Sequence, residues 1–177
     1  MKWSVRVIAA LLSVVVFLPA MAFAESAELR DGDRVVVLGG TFVEREGQFG
    51  YIETAITAAY PDRKILFRNL GWSGDTVWAE SRGIFDQPAA GYQRMIEMVK
   101  EQKPTVIVFA YGQNESFAGE AGLPAFVQQF EKLCDDLKAT KARLAFITPH
   151  LFEKATPPLP DASQHNDNLR LYAEAVR

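Results

Sequence analysis

An α/β fold, with a parallel sheet covered by helices on both faces, is what this 177-residue sequence predicts. Three observations carry the prediction. Short apolar runs recur at 34–38, 64–68, 105–110 and 143–148; stretches with apolar residues at helical spacing separate them; and Gly or Pro punctuates the junctions. Strands that are apolar along their whole length belong to sheets buried on both sides, and their alternation with amphipathic helices is the signature of a parallel sheet.

The elements follow in order. Residues 34–38 lie between Asp31-Gly32-Asp33 and Gly39-Gly40, which gives a buried strand ending in a tight turn and is too short for a helix. Phe49, Ile52, Ala55, Ile56 and Ala59 recur at helical spacing, and Pro61-Asp62 stops that helix before the second strand, 64–68. Pro88 opens a helix carrying Met95, Ile96 and Val99, and Pro104 precedes the third strand, 105–110. Pro124 opens the next helix, with Phe126, Val127, Phe130, Leu133, Cys134 and Leu137 on one face, and the fourth strand occupies 143–148. Residues 153–161 form a Pro-rich surface loop. A last helix, with Leu169, Tyr172 and Val176, begins at Asn166 and still runs at Arg177, so the pattern implies a further parallel strand beyond that residue.

At the other end, Lys2 and Arg6 precede an apolar run at 7–17, followed by Pro19 and small residues at Ala20, Ala22 and Ala24. This is the layout of a signal peptide, 1–24, with the mature domain at 25–177. The apolar run is short for a membrane span of about 20 residues, and no basic cluster follows it. The expected location is secreted or periplasmic, with no membrane contact after cleavage. Without Lys2 and Arg6 the formal charge of −3 becomes −5, since no acidic residue precedes Glu25. A mildly acidic chain lacking a Lys/Arg cluster argues against nucleic acid or anionic membrane as partner. Cys134 is the only cysteine, so no intramolecular disulfide forms, and its amphipathic setting reads as a small buried hydrophobe.

Three polar segments fall just past strand C-termini: Gly39-Gly40-Thr41, the loop 69–75 and the segment 111–115. In a doubly wound sheet such segments converge on one crevice. A nucleophilic hydroxyl there needs a base, and the tetrahedral anion formed on attack needs donors where charge develops. Thr41 supplies a hydroxyl that a sharp turn can expose; the blander account is a capping box with Glu44. Asn114 is either an oxyanion donor or the side chain of an Asx-turn. Ser73 begins like a nucleophile elbow, but Asp75 stands where the pattern requires glycine. Trp72 reads equally as a substrate wall or part of a turn. Glu44, Glu46 and Glu115 are the nearby acids, and no His-rich or ligand-spaced cluster indicates a metal; no cofactor is expected. His150 and His165 border the Pro-rich excursion and read as solvated loop histidines.

These residues resemble the SGNH hydrolases, also called GDSL-like lipases and esterases. Leu38-Gly39-Gly40-Thr41 occupies the place of the family's Gly-Asp-Ser block, with Gly40 at the Asp position and Thr41 at the nucleophile. Asn69-Leu70-Gly71-Trp72-Ser73-Gly74 matches the Asn-x-Gly-x-x-Gly loop, and Gly112-Gln113-Asn114 the Gly-x-Asn block. The resemblance implies a flavodoxin-like three-layer fold, with an oxyanion hole made by the Gly71 N–H and the Asn114 side chain converging on Thr41. The family's Asp-x-x-His block has no match here and is expected beyond Arg177. The Glu-containing stretch 41–46 is similar to that of divergent secreted bacterial members.

The function this implies is a secreted ester hydrolase acting on a carboxylic ester or an acetylated carbohydrate. Trp72 and Trp78 offer sugar-stacking faces that lean the substrate toward polysaccharide. The alternative, from a different class, is a non-catalytic carbohydrate-binding or interaction domain that retains the hydrolase shell.

Overall fold

Four parallel strands form the sheet that organises the chain: β1 (Arg34–Gly39), β2 (Leu66–Asn69), β3 (Val106–Ala110) and β4 (Arg143–Phe146), in the order β2-β1-β3-β4. The computed structural model describes residues 28–84 and 86–177. The signal peptide read at 1–24 lies outside them. Val35 pairs with Phe67 on one side and Val106 on the other, and Val106 pairs in turn with Arg143.

This register sets which side chain faces which layer. Val36 and Leu38 of β1 and Ile107 and Phe109 of β3 point into the main core, fully buried. There they meet Met95, Ile96 and Val99 of α3 (Pro88–Glu101), Phe126, Phe130, Leu133 and Leu137 of α4 (Gly119–Leu137), and Tyr172 and Val176 of α5 (Ser163–Val176). The alternate strand residues, Val35, Val37, Val106 and Val108, face the other way, toward Val43 of α1 (Thr41–Phe49) and Ile52 and Ile56 of α2 (Tyr51–Ala59). Both sheet faces are therefore apolar, and the result is a three-layer α/β fold. Burying each of these large side chains favours the fold by roughly 1.5–3 kcal/mol, which is why valine-rich strands end up in the middle layer.

The strand and helix order read from the sequence holds, and the differences lie at boundaries. The helix expected through Phe49 to Ala59 is preceded by a separate one, because Gly50 adopts φ +66° and ends α1 before α2 begins. With only Phe42 and Val43 as apolar residues ahead of a polar stretch and Gly47, α1 carries too little periodicity to be recognised. Helix α4 starts at Gly119, five residues before the Pro124 expected to open it, and Pro124 sits inside its second turn. Helix α5 starts at Ser163, whose N–H and hydroxyl both donate to Asp161 Oδ1 and so fix the entry earlier than Asn166. Cys134 is half-buried, and burial pushes its thiol up to about 11, the behaviour of a packed hydrophobe.

One carboxylate joins the N-terminal ends of three strands. Asp33, just before β1, accepts from the Arg30 N–H at 2.6 Å, from the Thr105 hydroxyl ahead of β3 at 2.6 Å, and from Arg143 Nη2 of β4 at 2.5 Å. Burial alone would raise its pKa, but the Arg143 and Thr105 hydrogen bonds and the Arg30 N–H outweigh that and hold it below its ordinary 3.8. A depressed acid contributes stability that is present above 3.8 and lost as pH falls through the folded value. Asp33→Asn should therefore lower unfolding free energy in urea by roughly 1–3 kcal/mol at pH 7, with the gap to the parent protein narrowing below that pH range. A pH-independent gap would contradict this account.

Candidate active site

The strand order reverses at β1, whose neighbour β2 lies on one side and β3 on the other, so the segments leaving β1 and β3 diverge and open a crevice at the C-terminal edge of the sheet. The crevice has a volume of about 470 Å³. Its floor is polar: Gly40 and Thr41 after β1, Asp75 after β2, and Gln113, Asn114 and Glu115 after β3. Its walls are largely aromatic, with Phe42 and Phe49 of α1 facing His150 and Phe152 of the segment after β4.

Helix α1 begins at Thr41 with Gly40 in the capping position and no side-chain cap. The capping-box reading is thus not what the fold adopts: Glu44 accepts instead from the Ser73 hydroxyl at 2.5 Å, and the Thr41 hydroxyl oxygen accepts the Gly74 N–H at 3.0 Å. Gly74 sits at φ +70° in a turn closed by the Asp75 N–H to the Trp72 carbonyl, and this left-handed conformation is what aims its N–H at Thr41. Asn114 lines the same floor and donates through Nδ2 to the Asp75 carbonyl at 2.9 Å. A carboxamide nitrogen carries two N–H groups, so this bond orients the side chain and leaves its second donor for another acceptor.

Gly71 is placed differently from the sequence expectation. Its N–H donates to Asn69 Oδ1 at 2.8 Å, and the Asn69 amide in turn donates to the Val43 carbonyl at 2.6 Å. A Cβ at Gly71 would lie 2.4 Å from the Glu44 nitrogen and 2.7 Å from the Val43 carbonyl carbon. Gly71 is thus a close-packing residue between the β2 loop and α1, and the backbone donor that meets Thr41 is Gly74. The loop's second glycine was visible in the sequence; the local signal that separates the two is the Ser-Gly-Asp turn, which demands a positive φ.

Two acids lie beneath the crevice. Asp75 is fully buried, accepting from Arg82 Nε at 2.7 Å, the Tyr111 hydroxyl at 3.1 Å and the Ser81 hydroxyl at 3.2 Å. Burial pushes its pKa up against the opposing pull of Arg82. Glu115, also buried, accepts the Val77 and Gly112 N–H groups at 2.9 and 2.8 Å; burial raises its pKa, and those backbone donors partly offset the rise. Both acids brace the loops around the floor, and neither bonds to Thr41.

The histidines separate in role. His150 is an exposed loop residue, as the sequence indicates, and it also lines the crevice, its ring 5.6 Å from that of Phe42. His165, read as a loop histidine, lies instead in α5 and half-buried, stacked on Phe117 at 4.0 Å and 3.3 Å from the Ser116 hydroxyl, away from the crevice lining. The wall bearing His150 is held to α5 because the Phe152 N–H donates to Asn166 Oδ1 at 2.8 Å and Asn166 Nδ2 donates back to the Phe152 carbonyl at 2.9 Å. Trp72 and Trp78 do not line the crevice: Trp72 stands under the Arg82 guanidinium, and Trp78 packs against the core.

No known family model matches the sequence, and no curated protein matches it. Solved structures do. An acetylxylan esterase from Geobacillus stearothermophilus superposes with a TM-score of 0.61 and 17% identity, over 84% of this chain and 71% of that one. Three structures of that esterase are catalytic mutants in which a histidine, an aspartate or a serine is replaced by alanine. An alpha/beta hydrolase enzyme from the metagenome of Lake Arreo, Spain, matches at 0.55 and 19% identity, over 84% and 72%. A gut microbial diltiazem-metabolizing enzyme matches at 0.57 and 17% identity, over 83% of this chain, which spans about a third of that protein, 34%. These likenesses are of fold.

The different constraints on the two glycines lead to a stability test. Gly71→Ala drives a methyl into the α1 backbone and should cost about 3 kcal/mol, whereas Gly74→Ala meets no atom within 4 Å and should cost only the roughly 1–2 kcal/mol of a left-handed residue. Urea midpoints of the two variants decide it, and a larger loss at Gly74 would reverse the assignment.

Proposed function

We propose that this chain carries the nucleophile and oxyanion donors of a secreted or periplasmic ester hydrolase. The observation that carries the reading is the Gly74 N–H at 3.0 Å from the Thr41 hydroxyl oxygen, in a crevice whose floor also holds the Asn114 carboxamide. As Thr41 Oγ1 bonds to the ester carbonyl carbon its proton passes to a general base, which later hands it to the leaving alcohol oxygen; the carbonyl π electrons move onto oxygen, and the Gly74 N–H and the second Asn114 N–H stabilise the anion. When the tetrahedral intermediate collapses, the alcohol leaves with a proton, and water releases the acyl group from Thr41. The solved structures with this fold include esterases, one with serine, aspartate and histidine catalytic mutants, which supports the reaction class.

A hydroxyl is a poor nucleophile without a base. Among the described residues no carboxylate or imidazole accepts the Thr41 proton, and His150 is the imidazole on the crevice wall. The second reading, a non-catalytic carbohydrate-binding or interaction domain on the same shell, requires no such base. Export rests on the pattern of residues 1–24. Acetylated carbohydrate as substrate draws support from the fold shared with acetylxylan esterases and none from the two tryptophans, which lie outside the crevice.

With p-nitrophenyl acetate, a long-chain ester and acetylated xylan as substrates of the full chain, Thr41→Ala should abolish hydrolysis. Thr41→Ser should keep or raise it, because serine retains the hydroxyl and loses the crowding methyl. Asn114→Ala should lower kcat by roughly 100- to 1,000-fold. Hydrolysis unchanged in Thr41→Ala would remove Thr41 as nucleophile, and activity confined to the long-chain ester would overturn the acetyl reading. A chain that hydrolyses none of the three but binds polysaccharide in a calorimeter, with binding unaffected by Thr41→Ala, would be the binding domain.

A further inference from the structure

A basic pocket of about 480 Å³ opens at the N-terminal ends of the strands, opposite the crevice. Arg34 at the start of β1, Lys100 in the last turn of α3, Lys103 just past that helix and Lys141 ahead of β4 line it, and no acidic residue does. The four cations come from separate stretches of the sequence, so no run of Lys and Arg announces them, and they gather in a chain whose formal charge is −3. All four are exposed, and among the described residues none of them forms an ion pair. Lys100 also lies near Asp136, but that carboxylate is held by Lys132 and accepts the Tyr92 hydroxyl at 2.8 Å. Like charges gathered in one pocket repel, and a bound anion removes that cost.

Two of the four stand where lysine is the sterically costly choice. Lys103 and Lys141 have φ +48° and +56°, the left-handed conformation in which glycine ends a helix or turn without penalty. A cation near a helix C-terminus answers the helix dipole, but Lys100 already does that for α3, and Lys138, paired with Asp135 at 2.6 Å, does it for α4. The two further lysines are accounted for by where their ammonium groups reach. Arg34 adds direction: its Nε donates to the Lys103 carbonyl at 2.7 Å, which orients the guanidinium and leaves its two terminal nitrogens for an oxyanion. The pocket's hydroxyls are already committed, Thr105 donating to Asp33 Oδ1 at 2.6 Å and Thr140 to the Leu137 carbonyl at 2.7 Å, so the four cations are the donors a ligand meets.

We propose that this pocket binds a terminal phosphate group, free or as a monoester, through Arg34, Lys100, Lys103 and Lys141. Such a group carries roughly −1.5 to −2 charge at neutral pH and three acceptor oxygens, so it can face the guanidinium fork and the ammonium groups together. A carboxylate brings one charge and two oxygens, and a phosphodiester one charge, and either leaves most of the cluster unneutralised. The site lies at the other end of the sheet from Thr41 and does not depend on what that hydroxyl does.

Titration of the full chain by NMR at neutral pH and low salt with methyl phosphate, dimethyl phosphate and acetate tests this. The expected result is amide shifts at Lys103 and Lys141, with methyl phosphate bound about tenfold tighter than either other anion. The double variant Lys103→Gly, Lys141→Gly should lose about tenfold in that affinity while its urea midpoint stays or rises, because glycine suits both φ values. Arg34→Gln, which leaves the three lysines in place, should weaken methyl phosphate as well. No binding of methyl phosphate, equal affinity for acetate or dimethyl phosphate, or undiminished binding in the double variant would each overturn the proposal. Phosphatidylcholine vesicles with and without phosphatidic acid then distinguish the sources. Sedimentation with phosphatidic acid that the double variant loses assigns the phosphate to a lipid head group; methyl phosphate binding without such sedimentation assigns it to a small soluble phosphate.

Discussion

Everything at the C-terminal edge of the sheet depends on how closely three loops approach at Gly40. A single carbon atom added there would lie 3.0 Å from the Asp75 carbonyl oxygen and 3.2 Å from Asn114 Nδ2. Because that carbon is absent, the Asn114 amide reaches across to Asp75 and locks the segments after β2 and β3 together directly over the end of β1. Thr41 follows immediately, so its hydroxyl emerges beside the loop after β2, whose Gly74 N–H donates to it at 3.0 Å, and lines the same crevice as Asn114. The buried Asp75–Arg82 pair then reinforces the arrangement from below, with Arg82 also donating to the Leu70 carbonyl at 2.6 Å. A buried ion pair of this kind is a weak source of net stability but a strict one for geometry, since losing either member strands a charge.

The fold was largely legible because its signals are strong and local. Runs such as Val35-Val36-Val37-Leu38 and Val106-Ile107-Val108-Phe109 admit few alternatives, and their burial on both faces is the same fact the apolar pattern records. Helix α1 escaped notice because Val43 is its one fully buried side chain, too little for a periodic stripe, and the rest of its seat is the loop after β2, through Gly71 and Asn69. The site was legible in outline for the same reason that strand ends converge: Thr41 and Asn114 do share a crevice. The donor glycine was not, because Gly71 and Gly74 look alike as letters and differ only in φ and in what lies within 3 Å.

His150 illustrates the remaining gap. Nothing within ten residues of it in sequence states that the segment after β4 turns back over the sheet. That path is imposed by Asn166, whose carboxamide occupies both polar groups of the Phe152 backbone, and by the tilted ring contact of Phe152 with His165 at 5.5 Å. Asparagine at such a spacing reads in sequence as an ordinary polar residue at a helix start. Its pairing with a backbone fourteen positions earlier is a tertiary fact, visible only once α5 has docked against α4.

The junction at Asp33 also bears on the order in which the chain takes shape. Its carboxylate is matched by a threonine 72 positions later and by an arginine 110 positions later. As the chain emerges from the ribosome, β1 and β2 can associate early, yet the acid beside them stays solvated until β3 arrives and is incompletely matched until β4 does. Non-local parallel pairings of this kind close slowly, since large loops must be ordered before any contact rewards them. During that interval the open edge of β1 is an unpaired apolar strand, vulnerable to other nascent chains, and the charge at its head helps keep it in water until its own neighbour is made.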